Sequence, residues 1–296
     1  MPGDTDAADR TAHAPAEADP LPAEPLVSIV TPSFNQGRFL RRTIESVLNQ
    51  TYPRIEYRVL DGGSTDESVD VLRSYGDRFP WVSGPDGGQT QAINTGLANS
   101  RGDVLAYLNS DDTLEPDAVE KVVAHFRRRP ACDLVYGDAF YVDEHDRRTG
   151  RYETRPYSWA NLVRNCIVCQ PAAFWRRRIA ERVGPFDESL QYAMDYEYWM
   201  RIDRAGGVIE YLPEVLASSR LHADAKTLAA RGKCYEDTFA VCRRHSGTVH
   251  LWHWIGYWSY LCRRPGASRV WRIGPVRKAW IATKCVGHLL RGKRAA

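Results

Sequence analysis

Two stretches decide the fold: Val27-Ser28-Ile29-Val30-Thr31-Pro32-Ser33-Phe34-Asn35, and Ile55-Glu56-Tyr57-Arg58-Val59-Leu60-Asp61-Gly62-Gly63-Ser64-Thr65-Asp66. Each is a β-rich run that closes on short polar residues and a turn. Between them Phe39, Leu40, Ile44, Val47 and Leu48 recur at helical spacing, and Pro53 ends the segment. The alternation continues downstream. A helix carrying Val69, Val71 and Leu72 follows the capping residues Ser64-Thr65-Asp66, and a short strand at 81–82 leads into a Gly-rich turn at 84–88. A helix over 90–99, a strand over 104–108, an amphipathic helix over 116–128 and a strand over 134–142 come next. Strands separated by helices predict an α/β fold with a mostly parallel, Rossmann-like central sheet flanked by helices. In such sheets ligands bind beyond the carboxyl ends of the strands.

Those ends are polar. The first strand delivers Pro32, Ser33, Phe34 and Asn35, the second Asp61 to Asp66, and the strand after Gly102 delivers Asn109-Ser110-Asp111-Asp112. Asp66 reads as a helix cap, and Ser33 and Asn35 suit turn backbone. The adjacent carboxylates Asp111 and Asp112 ask for more. Neighbouring carboxylates raise each other's pKa unless a cation or donors offset them, and a hard divalent ion shared with phosphate oxygens is the natural partner.

The chain has 296 residues, 43% hydrophobic and 26% charged, which is a globular balance. It holds no apolar run of membrane-spanning length, and its first 25 residues lack the basic start and apolar core of a secretory signal. Seven scattered cysteines point to reduced thiols and a cytoplasmic setting, and Cys166–Cys169 has no second pair with which to bind zinc. The net charge of +3 is unevenly spread. Residues 1–25 hold six acids against Arg10 and read as a disordered acidic Ala/Pro-rich tail. Residues 26–237 form the α/β domain. Residues 238–296 contain twelve Lys or Arg, no acid and five of the nine Trp, and are predicted to be a basic helical C-terminal extension. Over 276–291 an apolar side (Val276, Ala279, Trp280, Ala282, Val286, Leu289, Leu290) opposes Arg277, Lys284, His288 and Arg291, with Ile281 and Lys278 breaking the pattern. Indole rings beside arginines suit an anionic membrane surface, reached peripherally on its inner face, or else plain packing on the domain. No recognised nucleic-acid motif accompanies the basic residues.

The motifs Val27 to Asn35, Thr43-Ile44-Glu45-Ser46-Val47-Leu48-Asn49-Gln50-Thr51-Tyr52-Pro53 and Asp61 to Asp66, in this order, resemble the family 2 glycosyltransferases of the GT-A fold. The resemblance runs from about residue 26 to 227 and implies an inverting enzyme that uses a nucleotide-diphosphate sugar and a divalent metal, Mn2+ or Mg2+. It assigns Pro32, Phe34, Asp61 and Asn94 to the nucleotide, with Asp61 accepting from the base's imide nitrogen, which favours UDP or dTDP. Asp86, Gln89 and Lys226 fall to the donor sugar and diphosphate. Asn109-Ser110-Asp111 occupies the place of the family's DxD motif, so the metal falls to Asp111 or Asp112, with His222. Asp195, in Tyr192-Ala193-Met194-Asp195-Tyr196-Glu197, takes the place of the catalytic base. The helix dipole would keep Asp195 ionised, and an ordinary low pKa suffices for the step. Glu197 is spaced to pair with Arg201. Gln170 and Trp199 are expected to shape the acceptor pocket.

The expected reaction is a single in-line displacement onto a hydroxyl of a glycan or lipid-linked acceptor in surface polysaccharide synthesis. Two other readings stand beside it. A nucleotidyltransferase would want a Gly-rich, basic loop after the first strand, where this chain has Phe34-Asn35-Gln36-Gly37-Arg38. A non-catalytic nucleotide-sugar-binding scaffold would lack part of the catalytic set, and none is missing.

Overall fold

The structure is a computed structural model, and it describes residues 20–226 and 230–263. The first half of the domain is built as the alternation predicts. β1 (Val27–Ser33), β2 (Ile55–Asp61), β3 (Trp81–Ser83) and β4 (Val104–Tyr107) lie parallel in the order β3-β2-β1-β4. α1 (Gly37–Leu48), α2 (Ser68–Arg73) and α3 (Gln89–Ala98) make the crossovers. β1 is buried along its whole length because both faces are covered. Val27 and Ile29 enter one core and Val30 the other, as the two-residue strand period requires. α3 lies so close on this sheet that a Cβ on Gly96 would meet Val30 Cγ1 at 2.4 Å, so only glycine fits there.

The second half is mixed. After β5 (Thr113–Leu114) and α4 (Ala118–Arg128) come β6 (Leu134–Val142), β7 (Arg148–Arg151), α5 (Trp159–Arg164), β8 (Ala173–Arg176) and α6 (Arg177–Val183). α7 (Met194–Arg204), β9 (Ile209–Arg220), α8 (Arg231–Ser246) and α9 (Leu251–Arg263) complete the described chain. β8 enters between β4 and β6, antiparallel to both, while β6 and β9 are parallel to each other. The full order is β3-β2-β1-β4-β8-β6-β9-β5, with β7 beside β6. The run Gln170 to Trp175 is thus a 3-10 turn and the strand that joins the two halves.

One core packs α1, α2 and α4 under the sheet; the other packs α3, α6, α7 and the second half of α8 on its opposite face. Trp175 is the hub of the second, with Phe186, Tyr198 and Trp199 at ring-centroid distances of 5.9, 5.7 and 5.6 Å. A domain boundary at 237/238 therefore falls inside α8. Val241 and Cys242 are fully buried in the α7 core, and His253 of α9 meets the Val163 carbonyl at 3.0 Å. The predicted basic helix over 276–291 and nearly all of the N-terminal tail lie outside the described residues. Among the described residues no helix is long and apolar enough to cross a membrane, and the six cysteines there are free thiols.

Candidate active site

A cleft of about 1150 Å³ opens over the carboxyl ends of β1 and β4 and is closed on its far side by α7, α8 and the loop after β9. Pro32, Phe34, Asp86, Gln89, Asp111, Asp112, Gln170, Asp195 and Lys226 all line it. Side chains far apart in sequence are brought to one crevice by the strand order, so the acidic groups at the strand ends do share a face.

On the rim formed by the strand ends the side chains are bonded to each other. Asp112 is buried; its Oδ1 accepts from the Arg220 amide at 2.9 Å, and its carbonyl accepts from Thr43 Oγ1 at 2.8 Å. Burial and then the charge of Asp111 push its pKa up. Asp111 instead presents its carboxylate to the cleft, with Oδ2 3.0 Å from Nε2 of His222. Asn109, standing where a carboxylate is usual, is a hub. It accepts from Gln89 Nε2 at 2.7 Å and donates to Gln170 Oε1 at 3.1 Å. Gln89 Oε1 accepts from Lys226 Nζ at 2.9 Å, and Gln170 in turn donates to the Tyr107 carbonyl at 2.8 Å. An aspartate at 109 would lack the donor that holds Gln170 and would add a third negative charge beside Asp111 and Asp112.

The pair Asp111–His222 suits a hard divalent ion. Two ligands at about 2.1 Å from one ion and at right angles lie about 3 Å apart, which is the separation seen. Arg38 bears on this fit. Its NH2 lies 3.1 Å from His222 Nδ1 and 2.8 Å from Asp224 Oδ2. Arginine only donates, so Nδ1 accepts and the ring proton lies on Nε2, facing Asp111. Ligation through Nε2 requires the proton to move to Nδ1 and Arg38 to turn aside. Asp112 Oδ1 accepts from the Arg220 amide and its Oδ2 lies 3.4 Å from Asn109 Nδ2, whereas the Asp111 carboxylate is met by His222. The one cluster of three close metal-ligand atoms among the described residues is remote from the cleft: His125, Cys132 and Glu210. Its Glu210 is already forked by Arg129, at 2.9 Å, and bonded to His125, at 2.9 Å.

Several assignments from the sequence need correcting. Asp61 is 2% exposed, and its oxygens accept from the Gly63 and Ser64 amides, Ser64 Oγ and Ser83 Oγ at 3.2, 2.9, 2.5 and 2.7 Å. Four donors fill a carboxylate, so Asp61 builds the turn and offers no free oxygen to a base. Asn94 is turned from the cleft, bonded to the Phe186 backbone at 2.9 and 3.0 Å and to Glu188 at 2.9 Å; it ties α3 to the loop before α7. Trp199 is fully buried in the second core and does not line the cleft. Asp66 lies one residue before the N-cap Glu67 of α2, and accepts from the Ser68 amide at 3.0 Å and from the Gly37 amide at 2.9 Å. Asn35, at φ 52°, bridges to the Thr65 amide at 2.8 Å. Ser33 differs: its Oγ is buried, lines the cleft and has no hydrogen-bond partner among the described residues.

Asp195 is in the first turn of α7, which has no side-chain cap. Its Oδ1 accepts from the Tyr196 amide at 2.7 Å. Burial raises its pKa to about 6, against the opposing pull of the Tyr196 amide and of Lys226. The helix start does not hold it at an ordinary low value, because the cleft wall removes water from it. Tyr107 and Cys169 line the cleft with Asp112 and Asp195 and feel the charges of both. The neighbouring Glu197 serves the fold. It pairs with Arg201 at 2.8 Å, as its spacing predicts, and with His245 at 3.1 Å. Lys226, whose ammonium is 5.3 Å from the Tyr192 ring centroid, is lowered from its usual pKa by desolvation.

Sequence reasoning missed Arg38, 184 positions from the histidine it touches. It also missed the wall of Tyr141, Tyr152, Arg231 and Tyr235. No local motif marks these; only the return of β6 and α8 to the cleft gathers them.

Comparisons with known proteins bear on the arrangement. Residues 28–184 match the model of glycosyl transferase family 2. An uncharacterized glycosyltransferase of Rickettsia prowazekii is 29% identical over 231 residues, covering 73% of this chain and 71% of that one. The chondroitin synthase of Escherichia coli is 29% identical over 215 residues, 70% of this chain but 31% of its own length. The hyaluronan synthase of Pasteurella multocida is 28% identical, with 77% of this chain and 24% of its own length covered. This chain thus spans less than a third of either synthase. Among solved structures, S. aureus TarS in complex with UDP-GlcNAc has a TM-score of 0.60 at 16% identity, over 73% of this chain and 65% of that one. The mannosyltransferase PcManGT from Pyrobaculum calidifontis, in complex with GDP-Man and Mn2+, has a TM-score of 0.58 at 18% identity, over 94% and 78%.

Proposed function

The chain belongs to glycosyl transferase family 2 and has the GT-A fold, and from that premise we propose that it transfers a sugar, with inversion, from a UDP- or dTDP-linked donor to a hydroxyl of a glycan or lipid-linked acceptor. The single observation that carries this reading is Asp195: a buried carboxylate with a raised pKa, one oxygen tied to its own helix and the cleft on its other side. A base near pH 6 is deprotonated at neutral pH and still basic enough to take a proton as the C–O bond forms.

The acceptor hydroxyl attacks the anomeric carbon from the Asp195 side, its proton passes to the Asp195 carboxylate, and the bond to the diphosphate breaks on the side of Asp111. Asp111 and His222 would hold a divalent ion, Mn2+ or Mg2+, whose chemistry is to neutralise charge on the diphosphate. Lys226, held by Gln89, adds a cation on that side, and Asp86, bonded to the Gly88 amide at 2.8 Å, shapes the donor-sugar floor. Pro32, the exposed Phe34 ring and the unpartnered Ser33 hydroxyl offer the nucleotide an apolar face and a donor. Asp61 serves it indirectly, by fixing the turn on which it rests. Gln170 supports Asn109 from below.

The basic 238–296 segment supports a further part of the proposal, peripheral attachment to an anionic membrane surface on the cytoplasmic side, with surface polysaccharide as the product class. Flotation with anionic liposomes tests that part; protein left in the bottom fraction removes it. The transfer itself is tested by calorimetric titration with UDP, with and without Mn2+, followed by turnover of a nucleotide-sugar panel. Metal-dependent UDP binding with release of UDP from one donor supports the reading. Binding without any turnover leaves the scaffold reading in its place.

A further inference from the structure

At the acceptor end of the cleft one cation is held by none of the described residues. Arg231 opens α8 and lines the cleft together with Cys234, Tyr235 and Thr238. These positions are i, i+3, i+4 and i+7, one face of a helix, so the first two turns of α8 turn a single face to the site. The cations beside it are engaged. Arg220 donates to the Asp111 and Asp143 carbonyls at 2.9 and 2.6 Å and to Asp146 at 2.5 Å, and Lys226 donates to Gln89. Arg231 makes no hydrogen bond or ion pair with the described residues, and no carboxylate follows it at three or four positions to occupy it.

Its position is bounded by what it influences. Its charge acts on the Tyr141 hydroxyl across the cleft and on the Cys234 thiol, and Cys234 also feels Asp195. Arg231 and Asp195 line the same cleft, and so do Tyr141, Tyr152 and Tyr235. Tyr152 donates to the Cys166 carbonyl at 2.9 Å, with its ring 5.8 Å from that of Tyr141. Tyr235 is packed over Gly256 of α9, where an added Cβ would fall 2.7 Å from its hydroxyl. Fixed aromatic faces suit the C–H side of a pyranose ring, and a free guanidinium is a planar fork made for carboxylate or phosphate oxygens.

The geometry points to an anion subsite in the acceptor wall: Arg231 binds a carboxylate or phosphate group carried by the saccharide acceptor, while the tyrosines cover its ring and its hydroxyl meets Asp195. This rests on the glycosyl-transfer reading and names the chemical class of its acceptor.

Saturation-transfer NMR on the full chain, loaded with UDP and Mg2+ so that the donor side is filled, tests it. The probes are methyl β-D-glucuronide, glucose 6-phosphate and methyl β-D-glucoside. At least one anionic probe is expected to bind tenfold or more tightly than the neutral glucoside, and which one does so tells carboxylate from phosphate. Arg231→Gln is expected to erase that preference while leaving UDP affinity within twofold; Arg231→Lys keeps part of it. Equal binding of all three probes, a preference that survives Arg231→Gln, or a tenfold loss of UDP affinity in that variant would overturn the subsite. A wild-type chain that fails to bind UDP overturns the donor-site reading and this one with it; UDP binding with indifferent probes overturns this one alone.

Discussion

Across the cleft, the side chains of the donor rim are bonded to one another, whereas Asp195 and Arg231 on the acceptor wall make no such side-chain bonds among the described residues. Asp111 meets His222, His222 meets Arg38, and Lys226, Gln89, Asn109 and Gln170 form an unbroken chain. Opposite them Asp195 keeps one oxygen turned to the cleft and Arg231 has no described partner. A rim whose groups satisfy each other is stable when empty, and it must exchange internal bonds for ligand bonds. A wall of unsatisfied groups stores the cost in its own ionisation, visible in the raised pKa of Asp195. Donor binding should thus respond to substitutions in small steps, and turnover should collapse at one residue.

The largest effect is expected at Asp195. Asp195→Asn should lower turnover about 1000-fold, the range of a lost general base, with UDP affinity within twofold in calorimetry. The same change should stabilise the fold. A carboxyl whose pKa rises from its unfolded value to about 6 in the folded chain destabilises that chain progressively between about pH 4 and pH 6 and fully above it. Its replacement should add on the order of 2 kcal/mol at pH 7 and nothing below pH 4, readable as a higher Tm in thermal denaturation. An equally stable, active variant would dissolve the contrast between the two sides.

Next in size is Asp111→Asn. It should weaken Mn2+-dependent UDP binding on the order of 100-fold, about 2–3 kcal/mol, and leave metal-free UDP binding nearly unchanged. Asp112→Asn should do less to the metal response, because the buried Asp112 carboxylate accepts from the Arg220 amide and from Asn109; a reversed order of the two would exchange their roles. The pH profile sharpens the comparison from the other side. Below about pH 6 the rate should fall towards tenfold per pH unit as Asp195 takes up a proton, while UDP binding declines much less over that range. The smallest effect is expected at the hub. Asn109→Asp removes the donor to Gln170 and should cost about 1 kcal/mol of stability, seen as a few degrees in Tm, with activity retained.

How much of this is legible in sequence divides along the same line as the sheet. The parallel half, β1 to β4, is written locally: each strand is followed within a few residues by its own helix, so the periodicity of 27–108 predicts it and the polar strand ends with it. Asp111, Asp195, Gln89 and Lys226 are marked by their motifs and do meet in one cleft, with His222 against Asp111. The mixed half is not local. β8 pairs with β4 from about seventy residues away, through Val104 with Arg176, and two of its strands are two and four residues long, too short for a period to register. Trp199 is misplaced because its ring packs into the second core, and Asp61 and Asn94 for a different reason. Motif position says which strand or helix end a residue occupies, but the side chain's direction is settled by donors such as Ser83 and Phe186 that the motif does not contain.

The antiparallel β8 at the centre of the sheet has a consequence for how the chain comes into being. β4 has β1 on one side, and its other side stays open until Ala173–Arg176 arrives. During synthesis the whole nucleotide-facing half is complete in sequence while its middle edge is still bare, a template for pairing with any extended segment nearby. A nascent chain interrupted between β4 and β8 should therefore be sticky rather than simply inactive, and the stretch from Gln170 to Trp175 acts as the closing stitch of the molecule.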